Sequence, residues 1–344
     1  MTLGLFAAGF ASADTVILTS NDTLGTSAFY KNNWSDNLVP HSGTDYLVEG
    51  NSTWNFAMRT PETSTGGRIT FGGDSLTIGV VGGKWSSVND KTYSNASLYF
   101  KTLTFANGYF VNGIDFSTEY VTSSVVNVTS PATARFAILG SSERTLVFQG
   151  PLSATQTCGL MVDGQATPIA TTPYILYLKA NNPAYLGSWQ MQKNGVLMLD
   201  RAASLGGVPD AFDAASCTLA NNGGIAAVNG VTLAAANRGI TVTGAGGSLY
   251  AWPNTTWTLA MPLTGSAPVN KLGSGAVVVS NSWSGTGAIT VLAGSLGFAT
   301  NTVLAAGTAP SFSVKAGCLS LTDAQLGSRA LSISNGYFNA AGLG

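Results

Sequence analysis

From about Pro151 onward the chain breaks into short runs of apolar residues alternating with polar ones, each entered through a glycine or an Asn-Gly pair. Examples are "NGVLML" at Asn194, "NGVTLA" at Asn229, "RGITV" at Arg238, "GAVVV" at Gly275, "GAITV" at Gly287 and "GCLSL" at Gly317. Period-two alternation marks a strand buried on one face, and glycine or Asn-Gly marks the place where the chain turns. A strand of about five residues with one apolar face is not stable by itself. The recurrence therefore predicts strands laid on one another at about 4.8 Å, hydrogen-bonded along the stack and lining a shared core. The spacing of the units is irregular, and no single repeat length fits them.

Residues 14–150 are more varied and hold most of the aromatic and charged side chains, with strand-like runs such as "TDYLVEG", "RITFGGDSLTIGVVGG" and "ASLYFKTLTFANGYF". In "SLYFKTLTF", Leu98, Phe100, Thr102 and Thr104 alternate with Tyr99, Lys101, Leu103 and Phe105, which reads as a strand buried on one side. "ERTLVFQGPL" repeats the theme and ends in a Gly150-Pro151 turn signal. Helical periodicity is absent outside the N-terminus; "SLGGVPDAFDAASCTLA" has the best claim to a helical turn, and it contains Pro209 and two adjacent glycines. The expected fold is all-β, a right-handed parallel β-helix (β-solenoid) with a β-rich N-terminal capping region over 14–150 and the β-helix proper over 151–344. An antiparallel sandwich would show tighter hairpin signals every 8–12 residues or so.

Composition sharpens this picture. Charged residues make up 9% of the 344, and the formal net charge is −1, against about 25% charged in an average globular domain. No basic footprint for nucleic acid is present, and solubility falls to Ser, Thr, Asn and Gly. A 45% hydrophobic fraction argues against disorder despite 42 glycines.

At the N-terminus, "MTLGLFAAGFASADTV" presents an apolar run from Leu3 to Phe10 followed by Ala11-Ser12-Ala13, the small-x-small pattern of a signal-peptidase site. Residues 1–13 are thus expected to be a signal peptide with a truncated n-region, the alternative being an N-terminal strand. No other segment approaches the roughly 18 apolar residues of a membrane helix. Cys158, Cys217 and Cys318 are odd in number and lie outside CxxC or zinc-ligand spacing. They are expected to be small buried hydrophobes, with a single disulfide the alternative in an oxidising compartment.

The stretch "NKLGSGAVVVSNSWSGTGAITVLAGSL", 270–296, resembles the autotransporter-associated β-strand repeat of bacterial passenger domains through Lys271, Gly273, Gly275, Val277, Val279, Asn281, Trp283, Gly285, Val291, Gly294 and Leu296. A degenerate copy over 176–199 is similar at Asn182, Tyr185, Gly187, Gly195, Leu197 and Leu199, without the lysine and paired glycines. "RGITVTGAGGSLYAWPNTTWTLAMPLTG" is similar to the stretches that usually precede such a repeat, and "WSDNLVPHSGTDYLV" to the family's leading segment. The resemblance implies a parallel β-helix exported by type V secretion and displayed or released outside the cell, with no catalytic residues and no cofactor. It also implies an outer-membrane translocator barrel. The sequence ends at "NAAGLG" without one, so a gene fragment is one expectation and a free exported solenoid the other.

Candidate chemistry is sparse. His41, in "VPHSGTDY", is the only histidine and no GxSxG elbow accompanies it; a solvated loop is the simpler reading. Glycoside hydrolysis needs two facing carboxylates. Here Asp45, Glu49, Asp74, Asp115, Glu119, Asp200, Asp210 and Asp213 are scattered, and the close pair Asp210/Asp213 reads as a helix or turn cap. "FGGD", "VVGGK" and "TGAGGS" lack the P-loop and dinucleotide fingerprints, and no calcium-binding nonapeptide repeat is present. No catalytic, cofactor or metal residues are assigned. The best binding candidates are Trp34, Trp54, Trp85, Trp189, Trp252, Trp257 and Trp283, because exposed indoles stack on sugar rings; core packing or end-capping is the alternative. The expected function is an exported scaffold, passenger-like or adhesin-like, with surface polysaccharide or end-to-end self-association as partner chemistry and no nucleic acid. A polysaccharide-binding or polysaccharide-cleaving β-helix is the rival.

Overall fold

The computed structural model describes residues 15–20, 22, 27–49, 56–59, 68–79, 86–90, 97–112, 118–129, 134–138, 144–164 and 173–340. The expected signal peptide, 1–13, lies outside the described residues. Within them the protein is all-β, built of three sheets with sixteen, nine and six strands, none closed into a barrel. All pairings between the strands are parallel, and in each sheet the neighbours follow chain order. An antiparallel sandwich is therefore excluded. Among the described residues one antiparallel contact occurs, an isolated bridge between Leu18 and Trp34.

The long sheet runs from Thr15–Ile17 to Leu331–Ile333, and passes the change of texture near Pro151 without a break. The second runs from Phe56–Arg59 to Leu263–Gly265, and the third starts only at Thr232–Leu233 and runs to Gly336–Ala340. Before Thr232 the chain passes mainly between the first two sheets, and its returns are long: Met198 pairs with Ala226, 28 residues on. Beyond it each circuit visits three faces in turn. Arg238–Thr243 lies in the second sheet, Gly247–Tyr250 in the long one and Thr256–Leu259 in the third. There Asn270 pairs with Thr290, 20 residues on. Isolated bridges from Leu263 to Trp283 and from Trp283 to Leu304 prolong the second face where its regular strands stop.

Period-two patterning places one apolar ladder inside the long sheet: Leu176, Leu197, Ile225, Leu249, Lys271, Val291, Val314 and Ile333 pair in succession. The third sheet contributes Trp257, Val277, Leu296, Leu319 and Phe338 in the same manner. One apolar cluster joins buried residues from Val16 to Leu321. Its N-terminal part is aromatic, with Phe29, Trp34, Tyr46, Phe71 and Phe100 in edge contacts, followed by Phe105, Phe136 and Phe148 at centroid spacings of 5.0 and 5.1 Å.

The six glycine-led units do not mark one face of a repeating circuit. "NGVLML" and "GAITV" enter strands of the long sheet, "RGITV" one of the second, and "NGVTLA", "GAVVV" and "GCLSL" strands of the third. Their likeness is that of a bend followed by a short strand, whichever face it serves, which is why their spacing is irregular. At one bend the demand for glycine is absolute. A Cβ on Gly294 would lie 2.1 Å from the carbonyl oxygen of Gly275, and one on Gly317 would lie 2.0 Å from that of Gly294; both also hold positive φ, 64° and 92°.

Two local expectations need correction. "SLGGVPDAFDAASCTLA" forms no helical turn: a 3₁₀ turn at Ala202–Ser204 ends at the start of this stretch, and Asp213–Ala220 is a strand of the second sheet. Parallel pairing with Arg238–Thr243 overrides the local preference. A short α-helix does occur at Asp323–Leu326, started by a capping box in which the Thr322 side chain accepts from Gln325 N and Gln325 returns the bond to Thr322 N.

Three cations tie successive bends together through backbone carbonyls. Arg238, fully buried, donates to the carbonyl oxygens of Gly207 at 3.0 Å, Gly187 at 2.9 Å and Tyr185 at 3.0 Å. Lys271, also fully buried, donates to those of Leu272 at 2.8 Å, Gly273 at 2.7 Å and Ala293 at 3.1 Å. Half-buried Arg329 donates to those of Ala305, Ala309 and Gln325. Buried carbonyls must find donors, and these side chains supply them where strand pairing gives way to bends.

Candidate functional site

A groove of about 790 Å3 opens on the outer side of the long sheet, where strands Ser97–Phe105, Thr118–Val128 and Leu152–Ala154 lie side by side. Alternation along these strands turns Phe105, Val128 and Ala154 inward and leaves Thr104, Asn127 and Ser153 in register outside. The turn after Ala154 brings Gln156 to the rim, and the segment before Asp213–Ala220 brings Asp210. None of the side chains of Thr104, Asn127, Ser153, Gln156 and Asp210 has a hydrogen-bond partner among the described residues. Asp210 is the only charged residue lining the groove, and no aromatic ring lines it.

The two carboxylates singled out as a close pair separate here. Asp210 is exposed at the rim, whereas Asp213 Oδ1 accepts from Ala215 N at 2.8 Å and opens a strand. His41 lies in the loop before Asp45–Val48, with Nδ1 3.2 Å from Thr44 Oγ1 and Nε2 3.8 Å from Asp36. Of the other carboxylates, Asp74 pairs with exposed Lys101 at 2.9 Å and Asp45 accepts from Ser75 at 2.6 Å; Asp115 lies outside the described residues, and the placement of the Glu119 side chain is not described. Among the described residues no three of His, Cys, Asp and Glu converge.

The densest polar cluster joins Tyr177, Lys179, Asp200 and Arg201. Tyr177 Oη donates to Asp200 at 2.6 Å, Arg201 pairs with the same carboxylate, and Lys179 Nζ lies 5.2 Å from the Tyr177 ring centre. Burial and the Asp200 hydrogen bond push the Tyr177 phenol well above its ordinary pKa. Asp200, although partial burial acts against it, is held below the usual carboxylate range by the hydrogen bonds from Tyr177 and Arg201. At neutral pH the phenol keeps its proton and the carboxylate lacks one, so neither is poised to move a proton.

The tryptophans divide. Trp34, Trp189, Trp257 and Trp283 are buried, and the first three donate Nε1 to the carbonyls of Ala28, Leu205 and Tyr250. Trp252 is half-buried on the outer face, its ring 4.4 Å from that of Tyr250, in a small apolar cluster with Met198 and Leu272. Trp54 and Trp85 lie outside the described residues. All three cysteines are free and buried, and burial drives the Cys217 thiol up to about 12.

The two suggested repeat copies match in part. Asn281 and Asn182 each donate a side-chain amide to a carbonyl, of Ala260 and Ser204 respectively, and buried Trp283 and Tyr185 each form an isolated parallel bridge. Beyond that they diverge: Leu197 and Leu199 stand on the long sheet, whereas Val291 stands on the long sheet and Leu296 on the third.

The groove was not singled out by the sequence because its residues come from strands far apart in the chain. The available signal was the polar member of each alternation, Thr104 in "SLYFKTLTF" among them. No family model, no curated protein and no solved structure matches this chain.

Proposed function

We propose that the three parallel sheets are the faces of a right-handed parallel β-helix that serves outside the cell as a non-catalytic scaffold, passenger-like or adhesin-like. The observation that carries this reading is the unbroken internal ladder from Leu176 to Ile333, with strands added in chain order on every face. Such order makes each circuit depend on its neighbours alone, so repetition supplies length and stiffness. Right-handedness follows from the preference of parallel crossovers, about 98% of which turn that way. Export is supported by the Leu3–Ala13 leader pattern and the low-charge Ser/Thr/Asn composition. The resemblance of 270–296 to autotransporter repeats adds a translocator barrel as partner. A cleaving enzyme finds less support, since Asp213 is engaged by Ala215 N and the Tyr177–Asp200 pair is in the wrong protonation states for acid–base work.

The architecture is tested by removing residues 270–289, which joins Val269 to Thr290 in the register that Asn270 held. A cooperative, folded, shorter rod by small-angle scattering is expected, whereas removal of half that length should abolish folding; equal tolerance of both deletions would sink the reading. Export is tested by placing residues 1–20 before a leaderless alkaline phosphatase in a Gram-negative cell. Phosphatase activity is expected, and its absence would count against an extracellular role.

A further inference from the structure

We propose that the groove over Thr104, Asn127 and Ser153 is a binding site for a neutral, hydroxyl-rich chain, an oligosaccharide lying across the strands and along the stack. Three observations converge on it. The side chains form a ladder at the strand spacing, Thr104 against Asn127 and Asn127 against Ser153, so the same kind of group recurs at about 4.8 Å along the groove. Together with Gln156 and Asp210 they have unused donors and acceptors, which water occupies until a ligand with matching groups displaces it. The volume, about 790 Å3, falls within the range of roughly 300–1,000 Å3 for small-molecule sites.

The chemistry of the lining selects the ligand. With no cation in the groove, a phosphate, nucleic acid or sulfated polymer has nothing to neutralise its charge. With no aromatic ring there is no platform for a proline-rich segment. The strands beneath are interior to the sheet, Thr118–Val128 pairing on both sides, so their backbone groups are already used and an extended peptide cannot add as a further strand. Hydroxyls, one primary amide pair and a single carboxylate answer a ligand that both donates and accepts and carries no charge. Asp210 at the rim accepts from sugar hydroxyls and disfavours acidic polymers.

The test is native electrophoresis of the full chain through gels cast with dextran, galactomannan, soluble β-glucan or polygalacturonate, repeated in 0.3 M salt. At least one neutral polymer should retard the protein, equally with and without salt. The Asn127→Ala/Ser153→Ala double variant should lose that retardation at least tenfold, with Gln156→Ala weakening it less. These side chains hold no protein partner, so unchanged thermal unfolding accompanies the loss; should the double variant not fold, Gln156→Ala in its exposed turn provides the same readout. Retention by no neutral polymer, retention only by polygalacturonate, or retention lost in Trp252→Ala but kept in the groove variants would each overturn the proposal. None of these outcomes touches the scaffold reading, which stands or falls on the circuit deletion.

Discussion

The circuits before Thr232 and those after it solve one problem in two ways. In the earlier region the returns are long and the interior is filled by rings, from Phe29, Trp34 and Tyr46 to Phe105, Phe136 and Phe148. In the later region a third face enters, the circuit tightens to 20 residues at Asn270, and the interior becomes a ladder of Val, Leu and Ile with single tryptophans at the second face. The short circuit leaves sharper bends, and it is there that the buried cations Arg238 and Lys271 and the glycine column from Gly275 to Gly317 occur. The charged groups of the earlier region lie at the surface: Lys101 faces Asp74, and Arg68 sits 3.9 Å above the Tyr99 ring. A wide interior is held by bulk, whereas a narrow one is held by its corners.

The sharpest way to break this contrast is to remove a cation from each region. Arg238→Met leaves three buried carbonyls without donors, and a loss of about 3–5 kcal/mol is expected in urea unfolding. Arg68→Met removes an exposed cation–π contact and should cost about 0.5–1 kcal/mol. Equal losses would mean that the corners of the later region are not its fastening points. Next in size is Gly294→Ala, expected to cost about 3 kcal/mol or more, because its Cβ meets the Gly275 carbonyl at 2.1 Å in addition to the positive φ. Gly43→Ala, in the earlier region, has the same kind of φ and nothing within 4 Å, and about 1 kcal/mol is expected.

Lys271 refines the comparison through pH. Burial lowers its amine to about 7 from the ordinary 10.5, so above pH 7 the unfolded chain holds a proton that the folded chain has released. Stability from this group is therefore lowest below pH 7, where both states are protonated, and climbs as pH rises toward 10, by up to about 1.4 kcal/mol per pH unit. The expected observation is a gap between wild type and Lys271→Met in urea midpoint that changes in wild type's favour from pH 6.5 to 8.5. A constant gap would mean that the three carbonyls keep the ammonium charged throughout.

Much of this was legible in the chain because stacking depends on patterns that a strand displays locally. The alternation in "GAVVV" and "GAITV" announced strands, and the small residues before them announced bends. Parallel pairing was inferable from the lack of hairpin signals. What stayed hidden depends on distance. Arg238 reaches carbonyls 51 and 53 residues back, and nothing beside it in "NRGITV" signals that the guanidinium turns inward. The groove likewise gathers Thr104, Asn127, Ser153 and Asp210 from four separate segments. Local preference misled at "PDAFDAASCTLA", where pairing with Arg238–Thr243 decides the outcome. The capping box at Thr322 and Gln325 was readable and short, since four helical residues leave no periodicity to notice.

The smallest expected effect concerns the two kinds of tryptophan, and it bears on where the two regions meet. Trp283 is 1% exposed at a bridge of the second face, and Trp283→Ala should cost about 3–5 kcal/mol as a core truncation. Trp252 stacks on Tyr250 outside the long sheet, in a cluster that spans strands of the earlier region, through Met198 and Ala226, and of the later one, through Leu272. Truncating it removes contacts on one side only, so about 1 kcal/mol or less is expected, in line with a surface-edge site. If Trp252→Ala instead approached the cost of Trp283→Ala, the outer cluster would be a second fastening of the stack. The junction between the wide and narrow circuits would then be held from outside as well as from within.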